Sequence, residues 1–274
     1  MHKTLITYGD ERYAKSRERL AEEARGLGIF DRVRAYAPSD LDDQIRSHPL
    51  MRYPRGGGYW VWKPWVVLDA LRQTGDGDVV VYVDAGCSLS PSRQWKRYLN
   101  VLNRKDMLAF SIMTRCGQYT KRSMLDAFKP TLGPWWGNYF QLAGGVFLVR
   151  KTPFTMRFFE RFLSLCTEDN LIDVRPDEMA GQYPGFIEHR HDQALFTALV
   201  YEQRRQIAIL TNDFESRHSG QAICASRMGD DGQPYAMPQK NRLDVHVRRP
   251  IGNAVRNFDQ AYWRVRNRLA LRSR

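Results

Sequence analysis

Residues Val79 to Cys87 read Val-Val-Val-Tyr-Val-Asp-Ala-Gly-Cys, and they contain the strongest strand signal in the chain. A continuous β-branched and aromatic run predicts a strand that is covered on both faces, as strands of parallel sheets are. The run ends at Asp84. Because ligands of open α/β sheets bind beyond the carboxyl ends of the strands, we expect Asp84 to lie at a functional site.

Strand and helix patterns alternate on both sides of this stretch. Upstream, strands are predicted at residues 3–8 and 32–37, joined by a helix at 12–27. Downstream, strands are predicted at 107–112, 146–150 and 207–210. This alternation predicts an α/β domain, which we assign to residues 1–247. No Gly-x-Gly-x-x-Gly follows the first strand, which argues against a dinucleotide-binding motif.

Composition limits the class of protein further. The 274 residues are 43% hydrophobic, but no apolar run approaches the roughly 18 residues of a membrane span. The first residues lack the apolar core of a secretory signal, and the four cysteines stand far apart, which favours free thiols. We therefore expect a cytoplasmic protein, with peripheral association at the inner face of the plasma membrane as a further possibility.

Positive charge is concentrated at the end of the chain. The net charge is +12, and residues 248–274 contain eight arginines against one acid, Asp259. Such an excess favours an anionic partner: a nucleotide, a nucleic acid, an anionic glycan or lipid headgroups.

The same tail has helical periodicity. Its apolar residues are spaced four, three, four, three and four apart: Ile251, Val255, Phe258, Tyr262, Val265 and Leu269. This spacing predicts one apolar stripe on a basic amphipathic helix spanning 248–274. Two interpretations stay open: the stripe lies on an anionic membrane surface, or it packs on the domain or on a second subunit.

A glycine-rich segment precedes the central strand. Residues 55–64 read Arg-Gly-Gly-Gly-Tyr-Trp-Val-Trp-Lys-Pro and lead into a helix. Cations beside flat aromatic rings suit a nucleotide-sugar, which carries a diphosphate and apolar ring faces. We expect one of Trp60 and Trp62 to be a packing residue.

Four motifs in order indicate a family. They are Gly58–Pro64, Tyr82–Cys87, Ala143-Gly144-Gly145 and His191-Asp192-Gln193. With them the chain, from Thr4 to about Leu210, resembles the GT-A nucleotide-sugar glycosyltransferases, in particular a bacterial family with Gly-Tyr-Trp-x-Trp-Lys-Pro and Tyr-x-Asp-Ala-Gly-Cys motifs. The resemblance implies a Rossmann-like, mixed but mostly parallel sheet flanked by helices. It also implies sugar transfer to a glycan or lipid-linked glycan acceptor in bacterial surface polysaccharide assembly, such as lipopolysaccharide or capsule.

The resemblance also implies roles for individual residues. Expected donor contacts are Thr7, Tyr8, Tyr59, Trp62, Lys63, Asp84 and Gly86. Expected acceptor contacts are Trp136, Asn138, Gly144, Gly145, His191 and Gln193. Asp84 and Asp192 are the expected catalytic residues, and Asp192 would take the acceptor proton if the enzyme inverts. Two alternatives stay open: Asp192 only stabilises its helix N-terminus, and Trp136 only fills the core.

A divalent cation is a further implication. Most GT-A enzymes end this strand in Asp-x-Asp, whereas Gly86 replaces the second acid here. We expect Mn²⁺ or Mg²⁺ to be held by Asp84 and His246, with metal-free donor binding as the alternative.

Two other classes of function compete with an enzyme. One is a nucleotide-sugar-binding protein without transferase activity, which the missing second acid allows. The other is a nucleic-acid-binding protein, which is disfavoured because the positive charge is confined to one tail.

Overall fold

The computed structural model describes residues 1–211, 214, 220–226 and 249–272. The predicted metal ligand His246 lies outside these residues.

The strands are β1 (Lys3–Tyr8), β2 (Arg32–Tyr36), β3 (Val79–Val83), β4 (Ser88–Leu89), β5 (Met107–Arg115), β6 (Phe140–Arg150), β7 (Ile207–Thr211) and β8 (Ile223–Cys224). The α-helices are α1 (Ala14–Gly26), α2 (Asp43–Arg46), α3 (Gly56–Tyr59), α4 (Trp62–Arg72), α5 (Gln94–Val101), α6 (Cys116–Tyr119), α7 (Arg122–Leu132), α8 (Pro153–Ser164), α9 (Glu168–Leu171), α10 (His191–Glu202) and α11 (Arg249–Arg272).

The main sheet has the strand order β2-β1-β3-β6-β5-β7. Strand β6 runs antiparallel to both neighbours, and the other adjacent strands are parallel. The predicted mixed, mostly parallel sheet with flanking helices is thereby confirmed. In the register of β6, Val146 pairs with Val83, which brings the preceding Gly144 and Gly145 beside Asp84.

The central strand is covered on both faces. Val79, Val81 and Val83 belong to a core cluster with Leu20 of α1 and Trp95 of α5. Val80 and Tyr82 belong to the cluster on the opposite face, with residues of α4, α8, α10 and the α11 residue Trp263. Two-sided burial explains why the run from Val79 to Val83 does not alternate with polar residues.

Several element boundaries differ from the sequence prediction, and two of them position the site. Strand β6 begins at Phe140 rather than Val146, because Ala-Gly-Gly continues the ladder past an irregularity in its pairing with β5. Helix α4 begins at Trp62, so Lys63 and Pro64 form its first turn.

The predicted C-terminal helix is present as α11. In the described part of the chain, no helix combines the length and the apolar character that a membrane crossing requires.

Candidate active site

A cleft opens at the carboxyl end of β3, where the topology predicts a site. Its lining comes from four separate segments: Arg55, Trp60 and Lys63; Asp84; Gly144 and Gly145; and His189, Arg190, His191, Asp192 and Gln193. The structure thus brings both predicted catalytic residues, Asp84 and Asp192, into one cleft.

Lys63 lies at the centre of this cleft. Its Nζ donates to Asp192 Oδ2 at 2.7 Å and to the Gly144 carbonyl at 3.2 Å, and it lies 3.6 Å from Asp84 Oδ1. Burial lowers the pKa of this lysine, but the two carboxylates outweigh burial and the pKa is raised overall. Lys63 therefore stays charged and holds both acids in place.

Asp192 occupies the first turn of α10 and is 5% exposed. Burial raises the pKa of its carboxyl, and Lys63 opposes the rise without cancelling it. A carboxylate with a raised pKa accepts a proton more readily than an exposed aspartate does, which suits a general base.

Asp84 is the accessible acid of the cleft. Its side chain is 40% exposed, and Oδ1 accepts the Tyr82 hydroxyl at 2.6 Å. The backbone N–H of Asp84 donates to the Gly145 carbonyl at 2.8 Å. A Cβ at residue 145 would collide with Asp84 Oδ2, and one at Gly144 would lie 3.0 Å from Gln193 Cβ. The Gly-Gly pair is therefore required by close approach of these side chains.

A turn of residues in the left-handed conformation positions an aromatic side chain at the cleft. Gly56, Gly57 and Gly58 have φ of +59°, +56° and +92°, and Tyr59 and Trp60 continue with +50° and +60°. Glycine adopts this conformation without the cost of about 1–2 kcal/mol per residue that other residues meet. The turn presents Trp60 to the cleft.

The two tryptophans have different environments. Trp60 stacks on His191, with ring centroids 5.5 Å apart. Trp62 is 5% exposed and stacks on Tyr8 at 3.9 Å. Trp60 therefore lines the cleft, and the packing residue is Trp62, one of the predicted donor contacts.

His191 is buried, and both of its ring nitrogens have partners. Nδ1 lies 2.6 Å from the Leu171 carbonyl, and Nε2 accepts from Arg55 Nε at 2.9 Å. Burial lowers the pKa of His191, so the ring is neutral with its proton on Nδ1. This predicted acceptor contact positions Trp60 and Arg55.

Gln193 is also held by a partner within the protein. Its Nε2 donates to Gln141 Oε1 at 2.7 Å, while its side chain still borders the cleft.

Several predicted donor contacts do not line the cleft. Thr7 and Tyr8 are buried at the end of β1, and the buried Tyr59 donates its hydroxyl to Asp173 at 3.0 Å. The Gly86 carbonyl accepts from Ser226 Oγ at 3.1 Å.

The predicted acceptor contacts Trp136 and Asn138 also lie elsewhere. Trp136 is 1% exposed and donates Nε1–H to the Leu125 carbonyl at 2.8 Å, so its ring is a core residue with no face open to a sugar. The Asn138 carbonyl accepts from Gln260 of α11 at 3.3 Å. This segment packs against α11. The expected role of Trp136 and Asn138 as acceptor contacts is corrected accordingly.

The sequence interpretation missed two cleft residues, His189 and Arg190. They directly precede the His-Asp-Gln motif, and that proximity was their only signal. Arg190 lies over the Tyr119 ring at 3.9 Å, and His189 Nε2 lies 2.7 Å from the Asn170 carbonyl.

The described residues by themselves supply no complete divalent-cation site. Asp84 offers one accessible carboxylate, but the second acid, Asp192, is buried against Lys63. Among these residues no group of three or more His, Cys, Asp or Glu side chains could hold a metal. The Asp84–His246 site stays a prediction.

Neither a family model nor a curated protein sequence matches the chain. Solved structures with a similar course of the chain include a glycosyltransferase involved in glycosylation of the major capsid of PBCV-1 (11% identity, 82% of this chain and 93% of that chain, TM-score 0.44). Mouse xyloside xylosyltransferase 1 is similar at 14% identity (77% and 85%, TM-score 0.41). A 4-diphosphocytidyl-2C-methyl-D-erythritol synthase from Anaerococcus prevotii is similar at 10% identity (81% and 91%, TM-score 0.39). Likeness of this extent does not establish an activity for this chain.

Proposed function

We propose that the chain transfers a sugar from a nucleotide-sugar donor to a glycan acceptor in this cleft. The observation that carries the proposal is the accessible Asp84 carboxylate at the carboxyl end of β3, in one cleft with Asp192 and the Trp60 ring. Carboxylates accept hydrogen bonds from sugar hydroxyls, and an indole face packs against the apolar face of a sugar ring.

The geometry assigns different roles to the cationic side chains of Lys63 and Arg55. The Lys63 ammonium is 3% exposed and is bonded to Asp192 and Gly144, so it acts as a positioning residue. The Arg55 side chain is half exposed at the cleft. Its guanidinium is the better candidate to neutralise a donor diphosphate. This assignment replaces the sequence-based expectation that Lys63 contacts the diphosphate.

The proposed reaction transfers the sugar from one oxygen to another. The bond between the anomeric carbon and the diphosphate oxygen breaks, and its electron pair leaves with the nucleotide. The acceptor hydroxyl oxygen forms the new bond to the anomeric carbon and loses its proton. Asp192, with its raised pKa, is the residue of the cleft suited to accept that proton in an inverting transfer.

The acceptor and the cellular setting belong to the proposal as well. The resemblance of the four motifs supports a glycan or lipid-linked glycan acceptor in bacterial surface polysaccharide assembly, on the cytoplasmic side. A divalent cation remains part of the proposal through Asp84 and His246, and no step above depends on it.

A screen of nucleotide-sugars by thermal shift, with and without Mn²⁺, tests the proposal. A donor that binds the folded chain should raise Tm as its concentration exceeds Kd. The bound donor should then be hydrolysed slowly or transferred to a glycan. Binding without turnover would instead give a nucleotide-sugar-binding protein, and a shift by oligonucleotides alone would contradict the proposal.

A further inference from the structure

Helix α11 packs on the domain through Trp263 and through polar side chains. Asn267 is 1% exposed, and its Oδ1 accepts from the Trp135 backbone N–H at 2.8 Å. Gln260 is also buried, and its Oε1 accepts from the Phe140 N–H at 3.3 Å. These two side chains each accept a hydrogen bond from a backbone N–H of the domain, which fixes the orientation of the helix.

The apolar stripe of α11 therefore faces solvent. Its described members are exposed by half or more: Val255 63%, Phe258 78%, Tyr262 50%, Val265 55% and Leu269 61%. An amphipathic helix at a domain surface normally buries such a stripe against the core. A contiguous exposed apolar patch marks a surface that meets a partner or a membrane.

The charges around this stripe have one sign. Arg266, Arg268 and Arg272 are exposed beside it. Asp259, the single acid of α11, is turned to the domain and pairs with Arg115 at 2.8 Å. The outward face of the described helix is thus apolar and positively charged.

We infer that α11 is an interfacial helix that docks the protein on an anionic lipid surface. Apolar side chains enter the headgroup boundary, and arginines at the edge contact lipid phosphates. A second copy of the chain is a poorer occupant. A two-fold contact places the same face on itself, and this face has no acid to pair with the arginines.

Docking would also bring the cleft close to the lipid. Gln260 is bonded to Phe140, the first residue of β6, and Gly144 of the cleft follows four residues later on the same strand. Four residues of strand span about 13 Å. The inference goes beyond the proposed sugar transfer and does not depend on it.

Vesicle co-sedimentation of the full chain tests the inference. Phosphatidylcholine vesicles with and without phosphatidylglycerol would be compared for wild type and for Phe258→Gln/Leu269→Gln. Both substitutions lie on the exposed stripe, and glutamine keeps helix propensity, so the fold should persist. We expect wild type to bind the anionic vesicles with an affinity that falls as salt rises, and the stripe variant to bind at least tenfold more weakly.

A second pair of variants tests the contribution of the arginine charges. Arg268→Gln/Arg272→Gln should weaken binding about thirtyfold. Arg93→Gln/Arg97→Gln removes the same charge at two exposed positions at α5, on the opposite face of the sheet, and should leave binding unchanged.

Three results would overturn the inference. Wild type could fail to bind anionic vesicles at low salt, or the stripe variant could bind them as wild type does. Sedimentation equilibrium could show a wild-type dimer that the stripe variant abolishes, without vesicle binding, which would assign the stripe to a second copy. Nucleotide-sugar binding by the same variants separates a failure of docking from a failure of the proposed function.

Discussion

The Nζ atom of Lys63 lies 2.7 Å from Oδ2 of Asp192, and neither side chain is more than 7% exposed. This buried ion pair joins the first turn of α4 to the first turn of α10. Removing one partner of such a pair leaves an uncompensated buried charge, which costs more than the pair itself contributes. Stability and site geometry are therefore coupled at these two residues.

Lys63→Met should lower the free energy of unfolding by about 3 kcal/mol, because Asp192 loses its counter-charge. The double variant Lys63→Met/Asp192→Asn should recover part of that loss. Urea denaturation of the two single variants and the double variant measures the coupling, and Lys96→Met at an exposed position is the control. Strictly additive effects would mean that the two residues do not form the pair.

Gly145→Ala should reduce turnover by about two orders of magnitude, since the new methyl group collides with the Asp84 carboxylate and displaces it. Gly26→Ala is the matched change: apart from the chain neighbours and the backbone of α1 itself, no atom lies within 4 Å of a Cβ there, and the residue ends α1. That control should keep wild-type kinetics. Equal kinetics for both variants would contradict the close approach of Gly145 to Asp84.

Trp60→Ala and Trp62→Ala should separate a cleft residue from a core residue. Trp60→Ala should raise the donor KM with a small change in Tm. Trp62→Ala removes a ring stacked on Tyr8 in the core and should cost about 3 kcal/mol or more of stability. Steady-state kinetics beside thermal melts measures both effects, and a large loss of Tm in Trp60→Ala alone would reverse the assignment.

His189 should make stability depend on pH. Burial, aided by the nearby Lys121 charge, lowers its pKa to about 3. The unfolded chain takes up this proton near pH 6.5, so stability should fall as pH falls from about 6.5 towards 3, by up to about 1.4 kcal/mol per unit. His189→Gln does not titrate and should show a shallower decline in urea denaturation. An identical decline in both proteins would show that His189 is not buried in its neutral form. Above pH 7 we expect the two proteins to have the same dependence of stability on pH.

The central strand and its terminal acid could be predicted because a β-branched run from Val79 to Val83 fits few structures other than a two-sided buried strand. The position of Asp84 follows from the direction of that strand. Lys63 and Asp192 stand 129 residues apart, and family resemblance placed both at one site. No local pattern shows their direct contact.

Other features depended on tertiary contacts that local patterns do not contain. The loop pattern at Trp136 did not show whether the ring faces a cleft or the core. The structure places the ring in the core, where its Nε1–H donates to the Leu125 carbonyl. Periodicity predicted the stripe of α11 but left open which face packs. Gln260 and Asn267 decide that, because they satisfy backbone N–H groups of the domain.

Turnover by the Asp84→Asn variant shows whether the cleft is the active site. The substitution keeps the size of the accessible carboxylate and removes its charge, while Asp76→Asn makes the same change at a position that is 95% exposed. With a nucleotide-sugar identified by thermal shift, donor hydrolysis or transfer by Asp84→Asn should fall at least about a hundredfold below wild type, the scale for losing one electrostatic stabiliser. Asp76→Asn should match wild type. Wild-type turnover by a folded Asp84→Asn variant would contradict the assignment of the cleft as the active site.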